Sequence, residues 1–337
     1  MRHVNIPVFI PHLGCPHDCV FCNQRTISGQ EDFDPNTLES LIDEALGTVD
    51  SDDEVEIAFF GGSFTGIDRG LMISLLERAH AYLKSGRVKS LRCSTRPDYI
   101  DDEILNILER YGMTTVELGI QSTSERVLAA SRRGHTGDDA RRACCLIKAR
   151  GFRLGGQMMI GLPASGLEDE IKTAEEICAL GCDEARIYPT IVFDKTALGM
   201  LMLSGEYTPL TVQEAAERSA RILRIFDEGG VKVLRVGLCD AEGLHSSKCL
   251  GGPVHPAMGE LSRSVIFREN ICHELDLTAV HGEDITVCVP RGAVSAAIGN
   301  RRVNRDYIMQ RYGIRKIRFC EDEKLRGYEI KIARGNL

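Results

Sequence analysis

Short β-type runs alternate with longer stretches of helical pattern along most of the chain. The runs at 4–10, 54–60, 88–94, 115–120, 153–161 and 184–190 are predicted strands. Helices are predicted between them at 35–46, 70–84, 101–111, 138–150 and 168–180, with Asp101 and Asp138 as N-caps and Gly151 and Gly181 at C-cap positions. A further helix at 211–227 and a strand at 231–236 close this region. Repeated βα units predict an α/β fold with a parallel sheet, curled into a full or partial barrel or left open. A barrel places its chemistry on the loops that follow the C-terminal ends of its strands.

Around 239–256 the text becomes rich in Gly, Ser and His, which sets the expected boundary: one domain at 1–238 and a smaller α+β domain at 239–337. In the latter, strands are predicted at 285–289 and 316–320 and a small-residue helix at 293–298.

Composition narrows the class. The 337 residues are 43% hydrophobic and 27% charged, as in an ordinary globular protein. No apolar run approaches the roughly 20 residues that span a bilayer, and the N-terminus lacks the features of a secretory signal. The expectation is a cytoplasmic protein with no membrane partner. A net charge of −8 argues against a surface that grips nucleic acid all over. The charge is uneven, however: residues 31–56 hold eleven acids and no Lys or Arg, while 291–318 hold eight basic residues and one acid, Asp306.

Thirteen cysteines are too many to ignore in a chain that is neither short nor secreted. Three of them, Cys15, Cys19 and Cys22, fall within eight residues directly after the first predicted strand. Three thiolates on a tight loop can hold three irons of a [4Fe–4S] cluster and leave the fourth iron open. Structural zinc is the rival; it wants four ligands, and a fourth would have to come from His12, His17 or a distant residue. The other cysteines read as small buried hydrophobes, although Cys239, Cys249 and Cys272 with His245 or His255 could make a second metal site.

The C-x3-C-x2-C loop after a first strand resembles the radical S-adenosylmethionine (SAM) superfamily. That resemblance implies a partial (β/α)6 barrel and a [4Fe–4S] cluster on Cys15, Cys19 and Cys22. It also implies that the open iron chelates SAM and that SAM is cleaved to a 5′-deoxyadenosyl radical. Phe21 would lie near the adenine. "FFGGSFTG", ending the second strand, is similar to the segment that binds the methionyl ammonium, through Gly61, Gly62 and Ser63. Ser63 stands where many members have Glu.

"STRPDYI", "VELGIQS", "RRGHT", "GFRLGGQMMIGLP" and "RIYPTIVFDKTAL" together resemble the radical-SAM domain of the Elongator catalytic subunit. This implies that Glu117 and Gln121 hold polar groups of SAM and that Ile160 and Gly161 line its adenine side. A buried ion pair of Glu117 with Arg96 is the structural alternative. Three departures are visible. The family has a longer gap between its first two cysteines, Ser94 stands where it usually has Glu, and no convincing coenzyme A pyrophosphate loop follows Asp240. An acetyltransferase domain is therefore not expected in these 337 residues.

Residues 285–319 instead resemble a KH-like RNA-binding module: strand, helix, turn, helix, strand. Its loop would be Gly299-Asn300-Arg301-Arg302, with Arg where a second Gly is usual, and Arg301, Arg302 and Arg305 would contact phosphates. The alternative is a solvated basic helix. The expected function is a radical SAM enzyme that modifies RNA, such as a tRNA base, served by an electron donor such as flavodoxin or ferredoxin. Two alternatives stay open: a radical SAM enzyme acting on a small molecule or protein, and a non-catalytic RNA-binding protein with a structural metal.

Overall fold

The computed structural model describes residues 2–10, 13–15, 19–23, 33–50, 52–238, 248–279 and 281–335. Seven strands form one parallel sheet: β1 (His3–Phe9), β2 (Glu54–Phe60), β3 (Ser90–Thr95), β4 (Thr115–Gln121), β5 (Arg153–Ile160), β6 (Glu184–Pro189) and β8 (Lys232–Val236). Their order in the sheet is their order in the chain, so each crossover passes a helix across one face and the sheet curls into a partial barrel. The helices are α1 (Leu38–Leu46), α2 (Arg69–Lys84), α3 (Asp102–Arg110), α4 (Glu125–Ala130), α5 (Gly137–Ala149), α6 (Leu167–Ala179), α7 (Ala197–Leu203) and α8 (Val212–Glu228). β4, in the middle of the sheet, is buried along its whole length. The inner strands are covered on both faces and read as near-continuous apolar runs, which is why they were legible in the pattern; the edge strands β1 and β8 are only partly buried.

Helix ends follow local chemistry. Asp101 caps α3 as expected, its side chain accepting from the Ile104 N–H. Asp138 does not cap α5. Thr136 does, in a reciprocal capping box with Asp139, and Asp138 inside the first turn pairs with Arg141 instead. Gly151 and Gly181 follow their helices with φ of +79° and +73°, the left-handed conformation that ends a helix.

A short antiparallel pair, β7 (Val192–Phe193) and β9 (Cys249–Gly251), lies beside α7. The second unit is a three-stranded sheet of β11 (Lys316–Glu321), β10 (Asp284–Val289) and β12 (Lys331–Arg334), in that order. β10 pairs parallel to β11 and antiparallel to β12. Between β10 and β11 come α10 (Val294–Ile298), a turn at Asn300–Arg302, and α11 (Val303–Tyr312), so the strand–helix–turn–helix–strand order is present.

α9 (Met258–Thr278) was not foreseen, for a physical reason. Met258, Val265 and Ile266 join the barrel core, while Phe267, Ile271, Cys272 and Leu275 join the core of the second unit. A helix packed on two sides loses the single apolar stripe that betrays an amphipathic helix. The boundary placed at residue 239 lies outside the described residues.

Candidate active site at the C-terminal end of the barrel

The cysteine loop leaves β1 and packs onto the turn after β2, and glycine makes this possible. A Cβ on Gly62 would lie 2.4 Å from the Leu13 carbonyl oxygen, and one on Gly14 (φ +75°) 2.3 Å from the Ser63 carbonyl oxygen. A Cβ on Gly61 (φ +105°) would meet the Ile10 backbone at 3.0–3.2 Å. Gly61 and Gly62 were expected to open the backbone to a ligand. The space that their missing side chains leave is filled by the backbone of Ile10 and Leu13, so the glycines lock the two loops together.

Ser63 ties this turn to the cysteines. Its backbone N–H bonds the Cys15 thiol. Its hydroxyl, 1% exposed as a residue, bonds Thr95 Oγ1 at 2.9 Å and accepts from the Arg96 N–H at 3.1 Å. The hydroxyl is thus committed inside the fold. Surrounding protein raises the Cys15 thiol pKa, an effect that the Ser63 N–H and the charges of Arg96 and Arg133 partly offset. Cys19 is buried, and Arg133 Nη1 donates to its Sγ at 3.2 Å. The Cys22 N–H bonds the Cys19 carbonyl at 3.0 Å, and Val20 is pinned by the Ser131 carbonyl and by the Leu198 N–H. Phe21 packs with Val20, Val192 and Leu198 beside α7.

Among the described residues no three His, Cys, Asp or Glu side chains converge as a metal-ligand set. The donors present still suit a thiolate-held cluster. Cys15 and Cys19 lie within electrostatic reach of each other, and the cations Arg96 and Arg133 act on them. His12 and His17, the other zinc ligands considered, lie outside the described residues, as do Cys239 and His245. Cys272 is buried in the second core and Cys249 turns toward the Gly251 carbonyl, so the described part of that second site is not assembled.

At the end of β4 the backbone is strained. Gln121 has φ +65° next to an irregularity in the β4–β5 pairing, and its buried amide oxygen has no partner. The left-handed backbone and the unpaired buried acceptor together make Gln121 a candidate ligand-facing position. His135 is 3% exposed, and its Nε2 lies 3.2 Å from the Ile120 carbonyl while Nδ1 is unpartnered. Burial and the cations Arg133 and Arg96 push its pKa down to about 4. Ile160 is fully buried at the end of β5, and its carbonyl accepts from Thr190. Gly161 donates to Glu170 at 2.8 Å and accepts from the Tyr207 hydroxyl at 2.6 Å, which holds the loop after β5 against α6 and α8.

Glu117 sits elsewhere. It is the third residue of β4, and its carboxylate takes Arg92 at 3.1 Å, Arg186 at 2.7 Å and Gln157 at 2.6 Å. Arg92 also bonds Glu56 at 2.7 Å and Glu184. Burial alone would lower the Arg92 pKa, but its carboxylates outweigh that and raise it. This buried network lies toward the first half of the strands and engages both oxygens of Glu117. Its partner is not Arg96, which forms a bidentate pair with Asp98 at 2.9 Å.

In the second unit, Gly299, Arg301 and Arg302 adopt φ of +82°, +51° and +65°. Buried Asn304 fixes this turn by donating to the Ser264 carbonyl at 2.7 Å and to Ser264 Oγ at 2.9 Å. Arg301 and Arg302 are exposed and Arg305 is half-buried, and none has an acidic partner among the described residues. Sequence reasoning named these arginines but missed Arg133, Arg92 and Arg186. Arg133 lay in plain view in "RRGHT"; nothing local distinguished it from Arg132.

Residues 9–177 match the model of the Radical SAM superfamily and residues 182–266 that of the Radical_SAM C-terminal domain. The chain belongs to the radical SAM superfamily of enzymes. It is 29% identical over 244 residues to the tRNA uridine(34) acetyltransferase of Methanocaldococcus jannaschii, covering 60% of this chain and 45% of the relative. It is 28% identical over 261 residues to Elongator complex protein 3 of Homo sapiens, covering 64% and 48%. The chain thus spans about half the length of these relatives. The solved structure of the archaeal Methanocaldococcus infernus Elp3 with an N-terminal deletion shares the fold. Its TM-score is 0.65 at 22% identity, over 79% of this chain and 63% of that one. No described helix is long and apolar enough to cross a membrane.

Proposed function

We propose that the protein is a radical SAM enzyme that modifies RNA, with a tRNA base as substrate. The observation that carries the barrel half of this reading is the seating of the cysteine loop. It lies against the Gly61–Gly66 turn, where Ser63 contacts Cys15 and Arg133 contacts Cys19. Cys15, Cys19 and Cys22 would hold a [4Fe–4S] cluster. In this reading Phe21, Ser63, Gln121, Ile160 and Gly161 would line SAM, with the unpaired Gln121 oxygen available to a donor. When bound, the cluster and SAM would supply a 5′-deoxyadenosyl radical for hydrogen abstraction. Glu117 has no part in SAM binding in this reading.

The RNA half rests on the tRNA-modifying relatives and on the exposed Arg301 and Arg302, with Arg305, on a turn braced by Asn304. Such a turn presents cations to a phosphate backbone. A low-potential electron donor, flavodoxin or ferredoxin, completes the system.

The test is anaerobic reconstitution with iron and sulfide, then incubation with SAM and dithionite. The expected product is 5′-deoxyadenosine, lost in Cys19→Ala; iron uptake without SAM cleavage would sink the enzyme reading. Mass spectrometry of tRNA nucleosides from cells with and without the gene should reveal one missing modification. RNA that binds the parent should be released by a double Arg301→Ala, Arg302→Ala substitution.

A further inference from the structure

Arg133 is 7% exposed and leads from the loop after α4 into the barrel mouth. Its Nη1 donates to Cys19 Sγ at 3.2 Å and its Nη2 to the Gly119 carbonyl at 2.7 Å. Its Nε is buried with no partner. No carboxylate among the described residues pairs with it, whereas neighbouring Arg96 has Asp98 on two nitrogens. Arginine does not shed its proton, and a buried cation without an anion is strongly disfavoured. Of the two groups Arg133 contacts, only the Cys19 sulfur can carry negative charge.

The position is preorganised. Arg132 turns the chain with φ +52°. The Arg133 N–H bonds the Leu128 carbonyl at 3.0 Å, and the Arg133 carbonyl accepts from Arg96 Nη2 at 2.6 Å. Arg96 is itself tied through its N–H to Ser63, which bonds Cys15. One chain of contacts therefore runs from Cys15 through Ser63, Arg96 and Arg133 to Cys19.

We propose that Arg133 is the counter-ion of the thiolate cluster and a positioning residue that sets its reduction potential. This rests on the reading that Cys15, Cys19 and Cys22 hold a [4Fe–4S] cluster. Hydrogen bonds and charge at cluster sulfurs tune potential. Reduction adds one electron, delivered by a low-potential one-electron donor, and breaks no bond. The fixed positive charge of Arg133 favours the state with the extra negative charge and so raises the midpoint potential. Because the guanidinium stays charged, its contribution involves no proton.

The test compares parent, Arg133→Met and Arg133→Lys proteins, each reconstituted with iron and sulfide. Iron content, the EPR signal after dithionite and the midpoint potential are measured. The expected result is near-parental iron content, with the Met variant's potential shifted to more negative values and the Lys variant between. The parent–Met difference should be the same from neutral to mildly alkaline pH. Should the Met variant fail to fold, Arg133→Gln, which keeps a donor for Gly119, carries the same expectation. Variants that load iron and match the parental potential overturn the proposal. A parent that takes up no iron and sulfide overturns the cluster reading instead, and this proposal with it.

Discussion

Two buried arginines occupy the two ends of the barrel interior. Arg92, in the first half of β3, is surrounded by Glu56, Glu117 and Glu184. Arg133, at the far end, meets a thiol and a carbonyl and has an unpaired nitrogen. The lower site is complete as the chain alone builds it. The upper site is not, and the unsatisfied atoms of Gln121 and His135 lie in the same region. Within one barrel, one buried cation is saturated by carboxylates and the other is not.

The comparison breaks most visibly at Arg92. Arg92→Met leaves three buried carboxylates without their shared counter-ion and should cost roughly 3–5 kcal/mol. A urea-midpoint shift equivalent to under about 1 kcal/mol would show that the network is not structural. Next comes pH. His135 is held neutral with a pKa of about 4, below its ordinary 6.5. Between those values the unfolded chain binds the proton and the folded one does not, so stability rises with pH. The contribution is fully present above 6.5 and is lost as pH falls toward 4, an amplitude of roughly 3 kcal/mol. Unfolding of the metal-free protein across that window should follow this slope, and His135→Gln should flatten it.

The upper end should otherwise tolerate change. In the metal-free protein, Arg133→Met should alter unfolding by no more than about 1 kcal/mol, since it removes a buried cation along with its bonds. A loss as large as that from Arg92→Met would erase the distinction between the ends. Smallest of all, Gln121→Gly relieves a left-handed backbone while adding glycine's own entropy cost. The two nearly cancel, within about 0.5 kcal/mol, although the substitution should weaken SAM binding measured by calorimetry.

The same contrast explains what the sequence could reveal. Strands buried on both faces leave apolar runs, and the C-x3-C-x2-C spacing is local, so barrel and cysteine loop were both legible. Glu117 was read correctly as a residue of β4, and period-two alternation puts it on the face of Gly119 and Gln121. Depth along the strand is what decides its role, and no pattern carries depth. The partners of Arg92 lie 25, 36 and 92 residues away, beyond any local motif. α9 escaped because two cores share it, and Asp138 was named as a cap because Thr136, two residues earlier, was overlooked.

That shared helix also limits how the molecule can be divided. Bead-like multidomain proteins exchange units freely because each domain closes its own core. Here neither core closes without α9, and Asn304 of the basic turn is anchored on Ser264 of the same helix. A different substrate-gripping unit cannot be grafted onto this barrel as a cassette. It would have to bring, or be rebuilt around, a helix already committed to the barrel.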